Sequence, residues 1–364
     1  MMYKGYRIID ADSHYHRIPD LKDTYIDPEF RDRLPTVRPD GVTMVDGRGT
    51  STVQFKRSDY LNDMWDTEYG KYASRGFDPK AYLMAMDDQA VDKMALFGVP
   101  IVGAWGLDPA VADAMVRGYN RWVHDFVDQT EGRAIGIGQI DLRDVDRACK
   151  EVRHCVEEYG FRAFFTNTQP PIPGITLDRP YYDPLWSTME EMDVALCLHN
   201  VAGAGHGQIG QDRFGDWAAA RIAFTFPVEM QVAFFSILLG GVCERHPNLR
   251  VVGLESGAGW LPYLLWYYDE LFERYHEVDL PPMELKPSEY FRRQCFISAE
   301  LEEPTLPHVV DLLGADNVVV GSDFPHPEGP YPDGIRVFVD GNAISAGDKR
   351  KILCDNPRRL YGVE

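Results

Sequence analysis

Three short apolar runs in this 364-residue chain end in side chains that bind metal ions or move protons. The first ends in Asp12-Ser13-His14-Tyr15-His16, the second in His199, and the third in Gly321-Ser322-Asp323-Phe324-Pro325-His326. Imidazole nitrogens combined with carboxylate oxygens are the donor set of zinc, manganese and ferrous sites. A catalytic site of that kind keeps one coordination position open for water or substrate. Residues two apart on a strand share a face. That rule pairs Asp12 with His14, or His14 with His16, and leaves the choice open. A fourth run ends in Glu255, a residue type suited to general acid–base work.

These donors lie some three hundred residues apart, so the fold must bring them together. Apolar runs recur at 7–12, 93–98, 134–140, 161–166, 194–199, 250–255, 295–299 and 317–322. Most are near-continuous in apolar residues, as parallel strands covered on both faces are. Helix-length segments at 108–129, 145–159, 184–193, 228–245, 261–275, 304–313 and 345–353 separate most of them. A strand–helix repeat of this kind predicts an α/β fold, a (β/α)8 TIM barrel, in which every strand's C-terminal end opens onto one mouth. All of 1–364 is then a single barrel, with a long insertion at 17–86 after the first strand. A structureless loop of that length is uncommon, so this segment is expected to carry local structure and to cap the mouth. The Gly-rich stretch 206–216 is a second candidate cover.

Composition narrows the partners. The net charge of −20 disfavours nucleic acid and anionic membranes, and leaves a small-molecule substrate. No apolar run reaches the ~20 residues that span a bilayer, and no signal-peptide pattern follows the N-terminus. The six cysteines, at 149, 155, 197, 243, 295 and 354, form no C-x-x-C pair. The expected location is therefore the cytoplasm. The aromatic segment 260–268 has helical spacing, which suits outer packing or a subunit interface, and a homodimer is the first expectation for assembly.

Four ordered motifs carry a resemblance to a known family. They are Ile9-Asp10-Ala11-Asp12-Ser13-His14, Leu198-His199, Leu254-Glu255-Ser256-Gly257-Ala258-Gly259-Trp260-Leu261-Pro262 and Val320-Gly321-Ser322-Asp323-Phe324-Pro325-His326. With the closing segment Asn356-Pro357-Arg358-Arg359-Leu360-Tyr361-Gly362, the chain resembles the amidohydrolase-related ("amidohydrolase 2") family. That branch includes aminocarboxymuconate-semialdehyde decarboxylase and the resorcylate-type decarboxylases. The resemblance implies one divalent metal at the mouth. Asp12 and His14 match the first-strand positions, His199 the fifth-strand ligand and Asp323 the eighth-strand carboxylate. His16 is the alternative to Asp12. Zinc is the expected ion, with manganese or iron as alternatives. Several decarboxylases of the branch carry His where this chain has Glu255.

Each residue also has a plainer reading. A histidine after an apolar strand is commonly a hydrogen-bonded core residue, an Asp at a strand end commonly caps a loop, and His326 could be a turn residue. His124, His154, His246, His276 and His308 lie away from strand ends and are read as structural. Weighing these, the first expectation is a metal-dependent hydrolase acting on a C–N, C–O or activated C–C bond of a small carbonyl-bearing substrate. A metal-bound water would attack, Asp323 and Glu255 would handle the proton, and His16, His326 and Asn200 would contact substrate. The alternative is a non-oxidative decarboxylase of a small aromatic or unsaturated carboxylate. A ligand-binding barrel without turnover and a metal-free glycosidase stand further back, since the latter needs two carboxylates and no histidines. Arg17 and Arg162 are candidate carboxylate clamps.

Overall fold

The computed structural model describes residues 3–16, 18, 20–37, 43–45, 48–50, 68–98, 107–200, 209–215, 217–327, 329–341 and 343–364. Eight strands form one sheet in chain order: β1 (Ile9–His14), β2 (Lys93–Phe97), β3 (Ala134–Gln139), β4 (Ala163–Thr166), β5 (Ala195–His199), β6 (Val251–Leu254), β7 (Cys295–Glu300) and β8 (Val318–Gly321). Every neighbouring pair from β1 to β8 is parallel. All eight expected strands are present, and the barrel is nearly closed.

One principal helix follows each strand: α1 (Pro79–Gln89), α2 (Pro109–Asp128), α3 (Val145–Tyr159), α4 (Asp183–Glu191), α5 (Pro227–Leu238), α6 (Leu261–Tyr275), α7 (Leu306–Leu313) and α8 (Gly334–Asp340). Local chemistry sets their ends. Asp108 and Asp144 accept hydrogen bonds from the Ala110 and Arg147 amides at the starts of α2 and α3, and Gly160, at φ 68°, stops α3. The expected 228–245 helix is broken by Gly241, at φ 75°, into α5 and a short turn at Val242–Arg245. The helices Pro287–Gln294, α8 and Asn356–Tyr361 were not expected; all three are short, between 6 and 8 residues, and give little periodicity to read. On α6 the aromatic segment divides by face: Leu261, Leu264, Leu265 and Tyr268 are buried, while Tyr263 and Trp266 are exposed.

Within 17–86, the described residues carry single turns at Leu21–Tyr25 and Pro28–Arg33, a small antiparallel sheet of Thr36–Val37, Thr43–Val45 and Arg48–Thr50, a turn of helix at Gly70–Ala73, and the start of α1. Arg117 and Arg121 on α2 bind the Asp27 carboxylate at 2.6 and 2.8 Å, which docks the beginning of the segment on the barrel. Arg17, and most of 206–216, lie outside the described residues. Among the described residues no helix is long and apolar enough to cross a membrane.

The seam between β1 and β8 closes the barrel. The Asp323 amide donates to the Asp12 carbonyl at 3.0 Å, and the His14 amide to the Phe324 carbonyl at 2.6 Å. The fully buried Asp10 carboxylate lies across the seam. Its Oδ1 accepts from the Asp12 and Ser322 amides at 3.2 and 2.9 Å, and its Oδ2 from the Ser13 and Ser322 hydroxyls at 2.8 and 2.5 Å. Gly321 faces Asp12 so closely that a Cβ there would meet the Asp12 side chain. From outside, the Tyr361 hydroxyl donates to the Ala11 carbonyl at 2.7 Å, so the closing segment braces the same strand.

This seam yields a stability prediction. Asp10→Ala strands the Asp12 and Ser322 amides, each costing about 1–3 kcal/mol, while the two hydroxyls, 3.2 Å apart, can pair with each other, so the fold is expected to lose about 3 kcal/mol in total. Asp10→Asn keeps an acceptor for the two amides and turns an NH2 toward two hydroxyls that can accept, so its melting temperature should stay near that of the parent. Equal losses in the two variants, measured by thermal unfolding, would show that the seam does not depend on these bonds.

Candidate metal centre

The C-terminal ends of β1, β5, β6 and β8 meet at the mouth. A one-residue irregularity between Asp10 and Ser13 interrupts the β1–β2 register. Beyond it, Asp12 and His14 both reach the site while Asp10 stays in the seam. His199 closes β5 opposite Leu254 of β6, so Glu255 emerges beside it. Glu255 and Asp323 both hold left-handed backbone, at φ 50° and 57°. Non-glycine residues adopt that region rarely and at a cost that the surrounding structure must support. Here it turns each carboxyl into the mouth just after its strand ends.

Asp12 Oδ1 lies 3.8 Å from His14 Nε2 and 3.5 Å from His199 Nε2, and Asp323 Oδ1 lies 3.0 Å from His14 Nε2. Donors that each sit about 2 Å from a shared ion are themselves about 3–3.5 Å apart. All four atoms are buried, and Asp12 Oδ1 and His199 Nε2 lack a hydrogen-bond partner within the chain, whereas Asp323 Oδ1 also lies 2.7 Å from His326 Nδ1. Orphaned buried polar atoms are scarce, and these two, with His14 Nε2 between them, fit a divalent cation, while Asp323 reaches the same His14 atom from the other side. Two overlapping groups could hold an ion among the described residues: Asp12–His14–His199 and His14–Asp323–His326.

Electrostatics prepares these donors. The His199 Nδ1 lies 2.9 Å from the Asn200 carbonyl, which can only accept, so Nδ1 carries the proton and Nε2 keeps its lone pair for the site. Burial, reinforced by the charge of His326, lowers His14 to about 4 and holds its ring neutral, although Asp323 and Asp12 pull the other way. Burial alone would raise Asp323, but His326, with Nδ1 2.7 Å away, and His14 outweigh it and hold the carboxyl below the usual carboxylate range. The His326 ring stacks on His14, with centroids 4.1 Å apart. Glu255 Oε2 sits 3.1 Å from His199 Nε2 and 3.9 Å from His14 Nε2. Its side chain is 21% exposed, which sets it between the donors and the open mouth.

Two expected residues have other employment. The His16 ring packs against Phe77, with centroids 4.4 Å apart, and its amide donates to the Tyr82 hydroxyl; His16 joins neither group of potential ligands. The Asn200 amide donates to the Thr225 and Phe226 carbonyls at 2.5 and 3.5 Å, and its oxygen accepts from Thr168, so it braces the chain after β5. Arg162 precedes β4, at the end of the barrel away from the mouth. His124 is on α2, stacked on Tyr159.

Sequence reasoning missed two glutamates near the end of β7. Partial enclosure and the negative charge of Asp323 and Asp12 raise Glu300 above the usual carboxylate range. Its side chain remains open to solvent, so the neighbouring charges are the weightier cause, and a bound cation would offset them. Glu303 binds the turn after β6. The acid-rich run Ala299-Glu300-Leu301-Glu302-Glu303 was the available signal.

The family model described as amidohydrolase matches residues 11–363. The 2-amino-3-carboxymuconate-6-semialdehyde decarboxylase of Dictyostelium discoideum is 24% identical over 292 residues, 80% of this chain and 78% of that protein. The gamma-resorcylate decarboxylase of Rhizobium sp. (strain MTP-10005) is 26% identical over 299 residues, 78% and 86% of the two chains. Among solved structures, an amidohydrolase of Mycobacterium avium subsp. paratuberculosis superposes with a TM-score of 0.80 at 22% identity, covering 98% of this chain and 99% of its own. A dihydroxybenzoic acid decarboxylase of Polaromonas sp. JS666, holding manganese and the inhibitor 2-nitroresorcinol, superposes at 0.68 with 19% identity, covering 98% and 97%.

These relatives overturn the hydrolase expectation. Two histidines and two carboxylates can activate water or hold a substrate carboxylate equally well, so the donor set alone could not choose. The curated relatives release CO2 by name, which favours what had been the alternative.

The geometry generates a metal-content prediction. Purified Asp12→Ala and His199→Ala should lose bound divalent metal, while His16→Ala and the outer-face control His124→Ala should keep it, as read by elemental analysis. Metal loss in the His16 variant together with retention in the Asp12 variant would reverse the choice between them.

Proposed function

The chain belongs to the amidohydrolase family, and on that footing we propose that it is a metal-dependent, non-oxidative decarboxylase of a small aromatic or unsaturated carboxylate. The observation that carries the reading is the meeting of Asp12, His14 and His199 donor atoms beside Glu255, with Asp323 against His14, in a chain whose curated relatives are decarboxylases. Asp12, His14, His199 and Asp323 are the proposed ligands. A divalent ion held by them would supply positive charge to bind and orient a substrate carboxylate. Zinc was the first expectation; two oxygen donors in the set, and the manganese in the Polaromonas neighbour, make manganese the ion to test first.

The residues then divide the work. Asp323, held ionised, serves as an anionic donor rather than an acid. Glu255 has access to solvent and to the donors, and is assigned to deliver a proton to the substrate carbon that bears the carboxylate. The bond to CO2 breaks, its electron pair remains with the organic fragment, and the proton from Glu255 replaces CO2 at that carbon. Glu255 is then reprotonated from the mouth. His326, stacked on His14 and touching Asp323, keeps these two donors aligned. The 17–86 insertion is proposed to cover the mouth and exclude water. The exposed Tyr263 and Trp266 on α6 support packing against a second copy, and a single-chain mass in solution would contradict that assembly.

In deuterated solvent, turnover of a hydroxybenzoate such as 2,6-dihydroxybenzoate should release CO2 and leave one deuterium at the vacated carbon, with no solvent oxygen in the organic product. Glu255→Gln keeps the size and removes the titrating group, so it should lower kcat by about 10²–10⁴, the usual scale for acid–base catalysis, with metal content unchanged. Solvent ¹⁸O in the organic product, or metal loss in the Gln variant, would contradict the assigned chemistry or the assigned role.

A further inference from the structure

We propose that Glu303 is a positioning residue for Glu255: from the loop after β7 its carboxylate clamps the turn after β6 and so holds the Glu255 carboxyl in the mouth. The proposal rests on the reading of Glu255 as the proton donor. The turn begins at Glu255, whose left-handed backbone, at φ 50°, needs external support. Gly257 follows with φ 65°. Two bonds from other residues then fix the turn. The Trp260 indole N–H donates to the Ser256 carbonyl at 2.9 Å, and the Ala258 amide donates to Glu303 Oε2 at 2.9 Å. Ala258 is fully buried, so that amide has no solvent to fall back on.

The clamp is itself held in place. Glu303 Oε1 accepts from the Thr305 hydroxyl at 2.6 Å, and the Glu303 amide donates to the Glu300 carbonyl at 3.1 Å. This explains why the motif after β6 carries glycine twice. At Gly257 the backbone, at φ 65°, disfavours a side chain, although a Cβ there would make only ordinary contact with Glu303. A Cβ at Gly259 would collide with Thr305 and approach Glu303 Oε1 to 2.9 Å. Gly257 supplies the left-handed backbone of the turn, and Gly259 lets the carboxylate lie against it. Downstream, the Leu261 amide bonds the Ala258 carbonyl at 3.0 Å where α6 begins, so the clamped residue anchors the helix as well.

The test combines a structure with a double-mutant cycle. Crystal structures of the manganese-loaded parent, Glu303→Ala and Glu303→Gln should show residue 255 left-handed in the parent and the Gln variant, whose amide oxygen can still accept from Ala258. In the Ala variant, residue 255 should leave that region and its carboxyl should withdraw from His199. With 2,6-dihydroxybenzoate as probe substrate, Glu303→Ala should lower kcat about tenfold and leave KM within about twofold, and Glu303→Gln should restore kcat. Added to Glu255→Gln, the Glu303→Ala change should cause no further loss. Equal losses in both backgrounds, or an undisturbed residue 255 in the Ala variant, would overturn the proposal. Parent-like turnover in Glu255→Gln alone would sink the proton-donor reading, and the crystallographic comparison would still decide whether Glu303 sets the backbone.

Discussion

The closure of β1 against β8 is the constraint on which the site depends. Asp12 and Asp323 are more than three hundred residues apart, yet one's amide bonds the other's carbonyl, so the two carboxylates are fixed relative to each other by backbone. Asp10 makes that approach possible. Its buried carboxylate satisfies two amides and two hydroxyls at the one seam where no regular ladder does so. Gly321 completes the seam by lacking the side chain that would keep the strands apart.

Given that frame, the donors follow from register. Strand ends that lie level present successive residues to one mouth, which is how His199 of β5 meets Glu255 after β6. Burial then holds the His14 imidazole neutral, while neighbouring histidines hold Asp323 ionised. Neutral nitrogen and anionic oxygen are the states that bind a cation. Asp12 Oδ1 and His199 Nε2 are buried without hydrogen-bond partners, an arrangement whose cost a cation would offset.

The barrel was legible because fully buried parallel strands write themselves as apolar runs; 318–321 is Val-Val-Val-Gly and every residue of it is buried. The meeting of Asp12, His14 and His199 was legible because strand ends carry them. What remained hidden depends on three-dimensional contact. The alternation rule left His14 free to pair with Asp12 or His16; the chain turns out of β1 after His14, and the His16 ring lands on Phe77. Asn200 sits next to a donor in sequence, yet its amide is spent on the ends of a neighbouring helix and turn. The acid-rich run around Glu303 marks it in sequence but not its partner, an amide that lies 45 residues away on another turn. The reaction class was hidden for a different reason: one donor set serves two chemistries, and only the relatives' activities separate them.

The central claim is that a single ion is held by residues from β1, β5 and β8, with Glu255 beside it rather than on it. Anomalous diffraction from crystals of the manganese-loaded protein tests this most directly. One peak is expected, with Asp12 Oδ1, His14 Nε2, His199 Nε2 and Asp323 Oδ1 all about 2.0–2.3 Å away and Glu255 farther off. A peak bound by Glu255 in place of Asp12, or an ion seated away from β8, would contradict the account.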